Sequence, residues 1–127
     1  MKVKENYIRR NSDNLNWKRV SGLYCSLSEN TIREFQDRVD WDWITVRQKL
    51  SEGFMREFED KINWKLACKY QKLSESLIRK KCIYSNNWYN ISKYQVLSED
   101  FIREFEDEVD WWCISKLPYV RVLSFHS

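Results

Sequence analysis

Residues Leu97–Trp111 read LSEDFIREFEDEVDW, and four imperfect copies of this stretch precede it in the chain. Each copy ends in a tryptophan, and consecutive tryptophans lie 23 or 24 residues apart: Trp17, Trp41, Trp64, Trp88 and Trp111. Self-similarity at such a period indicates supersecondary units that stack on one another. The 127 residues are therefore predicted to form a single repeat domain (1–127) of five units, 3–26, 27–49, 50–72, 73–96 and 97–120, with a C-terminal tail, 121–127.

Each unit carries two helix start signals. The first is the serine of Leu-Ser-Glu, present as Ser28, Ser51, Ser74 and Ser98, and the second is the Asp or Asn before each tryptophan, present as Asn16, Asp40, Asn63, Asn87 and Asp110. Serine, Asp and Asn are preferred N-caps, and the apolar residues that follow recur three and four apart. Each unit is thus predicted to hold a first helix of roughly ten residues and a second of roughly eight. The fold class is all-α, a small α-solenoid of helix–turn–helix repeats.

The five repeating tryptophans have a structural and a functional interpretation. In the structural one they form a buried aromatic seam between successive units, since short helices are marginal alone and must stack. In the functional one they line an aromatic cage for a ligand. The structural interpretation is favoured because the tryptophans occupy one fixed position in every unit.

The composition of the chain argues against catalysis and against metal or cofactor binding. The single histidine, His126, lies next to the C-terminus, and no glycine-rich phosphate loop or nucleophile motif is present. The four cysteines, Cys25, Cys68, Cys82 and Cys113, lack metal-ligand spacing and are predicted to be free, mostly buried thiols. We therefore expect no enzyme activity, no cofactor and no metal. A charged N-terminus and the absence of a long apolar run predict a soluble, intracellular protein without a membrane span.

One arginine recurs in every unit, as Arg9, Arg33, Arg56, Arg79 and Arg103. In a structural ladder each would pair with a carboxylate of its own or the adjacent unit, such as Asp37 or Asp40. In the alternative, these guanidinium groups bind a partner. These arginines do not form a continuous basic stripe, because glutamates lie next to several of them. The set of candidate partner-binding residues is Arg9, Arg10, Arg33, Arg56, Arg79, Lys80, Lys81 and Arg103.

The sequence resembles the short tandem repeats of giant DNA viruses and phages. Two stretches carry this resemblance: LSEDFIREFEDEVDWWCISK (97–116) and WYNISKYQVLSEDFIREF (88–105). The likeness covers nearly the whole chain, and units one and four depart from it most. It implies an all-helical array of viral or phage-like origin, located in the cytoplasm or nucleus of an infected host cell. It implies no catalytic residues.

Three functions follow as hypotheses. The first is a non-catalytic protein–protein interaction module, and the viral resemblance makes a host or defence protein its target. The second is a nucleic-acid (RNA) binding helical repeat that uses basic units one and four; the net charge is +4 over residues 1–26 and +3 over unit four. The third is head-to-tail self-association of basic unit one with unit five, whose net charge with the tail is −4. The segment Tyr119–Phe125 is expected to lie as an extended strip over the end of the stack.

Overall fold

Ten short α-helices follow one another in a computed structural model that describes residues 2–24, 26–84 and 86–117. Unit one contains α1 (Lys2–Arg10), a 3-10 turn (Ser12–Asn14), α2 (Trp17–Arg19) and a π-helical turn (Val20–Tyr24). Units two and three contain α3 (Glu29–Glu34), α4 (Trp41–Arg47), α5 (Glu52–Glu57) and α6 (Trp64–Tyr70). Units four and five contain α7 (Glu75–Lys81), α8 (Trp88–Tyr94), α9 (Glu99–Glu104) and α10 (Trp111–Ser115). The predicted all-α solenoid is confirmed. Cys25, the segment Tyr119–Phe125 and His126 lie outside the described residues.

We refer to the first helix of each unit (α1, α3, α5, α7 and α9) as the A helices and to the second (α2 with its π-helical turn, α4, α6, α8 and α10) as the B helices. Consecutive B helices pack directly on one another along the whole array. The core is mostly aliphatic, with Ile32, Ile44 and Ile78 completely buried, and it also contains Phe54 and Phe101. Stacking thus removes from water the apolar faces of helices too short to be stable alone.

The predicted N-caps are present at nearly every helix. Each of the four Leu-Ser-Glu serines accepts a hydrogen bond from the backbone N–H three residues later, at 3.1 to 3.2 Å. Asn16, Asp40, Asn63 and Asp110 cap the B helices in the same way. Asn87 makes no such cap bond, and its φ of −107° and ψ of 7° differ from the extended caps elsewhere. The extra residue in the turn of unit four accounts for this difference.

The A helices are shorter than the predicted ten residues. In units two, three and five the helix is only six residues long and ends at Glu34, Glu57 and Glu104. The chain then turns so that a carbonyl of the turn faces the next tryptophan: Gln36 O accepts from Trp41 Nε1 at 3.0 Å. The Asp40 N–H, which would bond Gln36 in a longer helix, instead donates to Ser21 Oγ of unit one at 2.8 Å. The turn that follows the A helix of unit two is therefore bonded to unit one.

A buried glutamine joins each unit to the one before it. Gln71 Oε1 accepts from the Leu50 N–H at 3.1 Å, and its Nε2 donates to the carbonyls of Thr45 and Gln48 at 2.7 and 2.6 Å. Gln48 and Gln95 repeat this arrangement one unit earlier and one unit later. Because buried backbone groups must be hydrogen-bonded, this glutamine ladder satisfies the backbone where one unit passes into the next.

The two glycines provide a matched test of the packing. A Cβ on Gly22 would lie 2.6 Å from Trp43 Cε3, whereas a Cβ on Gly53 would meet nothing within 4 Å. The sequence suggests only that Gly22 weakens its helix, but the structure shows that the bare backbone admits the Trp43 ring of the next unit.

We expect Gly22→Ala to lower the free energy of unfolding by about 1–3 kcal/mol, because the added methyl overpacks a filled contact. Gly53→Ala should raise it by about 0.4–1 kcal/mol, since it restricts the unfolded chain without a clash. Urea denaturation of the two variants measures both values. Equal effects of the two substitutions would contradict the close approach of Trp43 to Gly22.

Candidate functional site

The repeating arginines form a ladder of ion pairs along the A helices. Arg9 pairs with Glu34 at 2.8 Å, Arg33 with Glu57 at 2.9 Å and Arg79 with Glu104 at 2.6 Å. In every case the carboxylate belongs to the glutamate that follows the arginine of the next unit. Asp37 and Asp40, named above as examples, are not the partners. The pairing to Glu104 raises the pKa of Arg79.

Two arginines lack that partner and pair within their own helix. The residue that would receive Arg56 in unit four is Lys80, and Arg56 instead contacts Glu52 at 2.9 Å. Arg103 belongs to unit five, the last of the five units, and contacts Glu99 of its own helix at 2.5 Å. All five repeating arginines thus face carboxylates, so this layer does not present a row of uncompensated cations.

Unit four, which departs from the repeat, is only partly free for binding. Lys81 stands where other units have phenylalanine, and its Nζ lies 2.5 Å from Glu59 and 5.9 Å from the centroid of the Trp64 ring. This ion pair and hydrogen bond lower the pKa of Glu59. Lys80 and Arg10 are exposed and make no ion pair within the described part of the chain. Of the candidate residues from the sequence, only these two remain uncompensated.

Glutamates near the start of the A helices of units one to four also connect successive units. Glu29 accepts from the Ser51 N–H and hydroxyl, at 2.7 and 3.0 Å, and Glu75 does the same for Ser98. Hydrogen bonds to Thr31 and Ser28 lower the pKa of Glu5, and a hydrogen bond to Ser74 lowers the pKa of Glu52. These carboxylates stabilise the start of the next A helix and already accept hydrogen bonds from it.

Four of the five repeating tryptophans lie between units, and Trp111, in unit five, packs against the core. Each ring is half-buried, and Trp17, Trp41 and Trp88 face Phe35, Phe58 and Phe105 of the next unit with centroids 5.0 to 5.2 Å apart. Indole N–H groups donate to turn carbonyls at 2.8 to 3.0 Å. With its ring packed and its N–H satisfied, this position does not form an open cage.

An open groove of about 400 Å³ lies between units four and five. Its lining combines aromatic and acidic side chains: Ile83, Tyr84, Trp88, Glu104, Phe105, Asp107 and Glu108. Glu104 is already paired with Arg79, and the other two carboxylates are exposed. All three carboxylates are exposed, whereas burial is one of the features that activate an acid or base for catalysis.

The described thiols, those of Cys68, Cys82 and Cys113, are buried. Cys68 and Cys82, from units three and four, are free cysteines whose sulfurs lie 2.7 Å apart in the core. The hydrogen bond to Cys82 and burial raise the pKa of Cys68, so its thiol is neutral at pH 7 and a poor nucleophile. Across residues 2–24, 26–84 and 86–117, no three His, Cys, Asp or Glu side chains come together as a metal site.

The B helices carry a different charge from the A helices. Of the 19 acidic residues in the chain, only Asp42 lies on a B helix or the two residues after it. Nine basic residues occupy the same segments, and all nine are exposed: Lys18, Arg19, Arg47, Lys49, Lys65, Lys69, Lys72, Lys93 and Lys116. The seven lysines make no ion pair with a carboxylate among the residues that the structure describes. The B-helix segments are therefore strongly basic, whereas the A helices carry nearly equal numbers of acidic and basic residues.

Exposed aromatic rings share this layer. Tyr70, Tyr89, Tyr94 and Trp112 are 48, 49, 41 and 67% exposed, although aromatic side chains are normally much more buried. We call these four rings together with the nine basic residues the B surface. This surface is not visible when charge is counted over whole units, but it is visible when charge is counted over each predicted helix.

Lysines lie over the rings of the B surface. Lys69 Nζ is 5.2 Å from the centroid of Tyr70 and 5.8 Å from that of Tyr94 in the next unit. Lys93 lies 5.3 Å from Tyr94 and 5.4 Å from Tyr89. Its ammonium donates to the Tyr89 hydroxyl at 3.1 Å, which raises the pKa of Lys93 and keeps it charged. Cations and rings therefore alternate continuously from unit three to unit four.

In the described residues, no helix is long and apolar enough to cross a membrane. No protein-family model, curated protein or solved structure matches the chain, so the arguments about its function come from its own geometry.

Proposed function

We propose that this chain is a non-catalytic binding module and that its partner is a nucleic acid held on the B surface. The observation that carries the proposal is the set of nine exposed basic side chains on the B helices, whose seven lysines make no ion pair with a carboxylate among the described residues. Clustered, uncompensated cations are the electrostatic footprint of nucleic-acid binding, because neutralised phosphates release their counterions. This surface replaces units one and four as the predicted contact.

The cations of the A helices are less accessible to a phosphate than those of the B surface. Arginines that could bind phosphate there, such as Arg33 and Arg79, are each held by a glutamate of the next unit. Their role is to link successive A helices. A bound phosphate would have to displace those carboxylates, whereas Lys65, Lys69 and Lys116 face solvent without a carboxylate partner in the described chain.

A protein partner is the second candidate, favoured by the exposed Trp112 and tyrosines, since Trp and Tyr are enriched among interface hot spots. Lysine, however, is depleted at protein–protein interfaces, and seven of the nine basic residues here are lysines. The host or defence protein suggested by the viral resemblance would need a strongly acidic face to fit this surface.

A pair of double variants tests the proposal. Lys69→Gln/Lys93→Gln removes two charges from the B surface, and Lys61→Gln/Lys80→Gln removes two exposed lysines that lie outside it. Affinity for a fluorescent 20-nucleotide strand is measured by anisotropy at several salt concentrations. We expect the first variant to bind about tenfold more weakly and to flatten the plot of log affinity against log salt by about 0.7 per lysine.

The control variant should bind like the wild type. If neither RNA nor DNA binds even at low salt, the nucleic-acid proposal is wrong and the protein-binding hypothesis takes its place. If the Lys61/Lys80 variant loses as much affinity as the Lys69/Lys93 variant, the B surface is not the contact.

A further inference from the structure

We infer that the strand bound by the B surface is single, and that its bases stack on Tyr70, Tyr94, Tyr89 and Trp112. This inference rests on the proposed function and adds the class of nucleic acid to it. The exposed rings carry it, an observation separate from the charge. Charge alone attracts any polyanion, but only unpaired bases have free faces that can stack on a side chain.

The rings are available to a ligand. All four are at least 41% exposed, and three of them (Tyr70, Tyr94 and Trp112) lie on consecutive units, three, four and five. Because the B helices pack in sequence order, these rings follow one another along the array. Helical repeats that bind RNA use the same plan, with one base for each repeat.

Lysines occupy the faces that bases would take. Lys69 lies between Tyr70 and Tyr94, Lys93 lies between Tyr94 and Tyr89, and Lys116 lies 5.1 Å from the centroid of Trp112. A lysine at an exposed ring is weakly held and flexible, so a base can replace it. The displaced ammonium then lies beside the stacked base, where the phosphate of the same nucleotide needs a counter-charge.

A duplex fits the same surface poorly. Its bases are already paired and stacked on each other, so it could reach the lysines through its phosphates but could not use the rings. Stacking on an aromatic side chain increases affinity by about fivefold to a hundredfold for each base. We therefore expect a clear preference for single strands over a duplex of the same length.

The variant Tyr70→Leu/Tyr94→Leu tests the stacking. Both rings are exposed, so the fold should persist, which far-ultraviolet circular dichroism and the melting temperature verify. Affinity for single-stranded RNA and DNA of 20 nucleotides should fall at least about tenfold, with an unchanged salt slope because no phosphate contact is lost. Duplex affinity should hardly change. The control Tyr7→Leu removes an exposed tyrosine of α1, which lies outside the B surface.

Trp112 offers a second, spectroscopic readout. It is the most exposed of the four rings, and a base stacked on it should quench its fluorescence. Single-stranded oligonucleotides should quench the wild type, and the quenching should decrease in Trp112→Phe, whose ring still stacks. RNA and DNA arms compared in parallel show whether the sugar is also recognised.

The outcomes separate the two proposals. If no nucleic acid of either kind binds, the proposed function itself is wrong. If duplex and single strand bind equally well and the Tyr70/Tyr94 variant keeps full affinity, the strand is held by charge alone, which overturns the stacking inference and leaves the proposed function intact. An affinity loss of similar size in Tyr7→Leu would also overturn it, because the effect would not be specific to the B surface.

Discussion

Trp41→Ala is expected to lower the free energy of unfolding by about 3 kcal/mol or more, the largest effect of any single truncation that we predict. The Trp41 ring packs 5.2 Å from the Phe58 ring of the next unit, and its Nε1 donates to the Gln36 carbonyl at 3.0 Å. Alanine would leave a void between units two and three and an unsatisfied carbonyl. Because folded domains are stable by only about 5–15 kcal/mol, such a loss approaches the limit of folding.

Trp112→Ala serves as the matched control. This tryptophan is 67% exposed, so its removal should change the free energy of unfolding by less than about 0.5 kcal/mol. Chemical denaturation followed by circular dichroism measures both variants. Similar losses in the two would show that position in the repeat does not determine the burial of the ring, contrary to the packing described above.

Gln71→Met is expected to cost about 3 kcal/mol, although methionine has nearly the same length and volume. The substitution leaves the Leu50 N–H and the carbonyls of Thr45 and Gln48 without their partner inside the core. Each buried group left unsatisfied costs about 1–3 kcal/mol, whereas the apolar replacement recovers only part of that loss.

Gln36→Met is the corresponding control. Gln36 is half-buried and its side chain makes one hydrogen bond, to the Arg33 carbonyl at 3.1 Å, so we expect a loss within about 1 kcal/mol. Hydrogen exchange offers an independent check, because the Leu50 amide should exchange faster in Gln71→Met and normally in the control. Unchanged protection of Leu50 would mean that other groups replace the glutamine.

Unit four shows how a repeat tolerates a departure from its own pattern. Lys81 replaces the phenylalanine that faces the previous tryptophan, and it retains contact with Trp64 through a cation–π interaction while it pairs with Glu59. Lys80 replaces a ladder glutamate, and Arg56 responds by pairing with Glu52 of its own helix. Each change is absorbed locally, since every unit contacts only its neighbours. Irregularity in the sequence of unit four therefore does not by itself mark a binding site.

Features that depend on residues a few positions apart could be predicted from the sequence. The period, the two helices of each unit and the serine caps follow from spacings of three and four residues, and nearly all are present as expected. The early end of the A helices was not predicted: after Glu34 the backbone forms tighter bonds, such as Gln36 N–H to the Arg33 carbonyl, and the turn then bonds across units, from Asp40 N–H to Ser21. Local propensity carries no information about such a partner.

The sequence by itself determined the repeat, the all-helical class and the position of the tryptophans, because those follow from local capping and helical periodicity. Only the tertiary structure decided which carboxylate each arginine meets, what the buried glutamines join and which cations remain uncompensated. These contacts link residues about one unit apart, such as Arg33 with Glu57, and they depend on how one helix pair is placed against the next. The same stacking exposes the lysines and four aromatic rings of the B helices, and these side chains form the proposed binding surface.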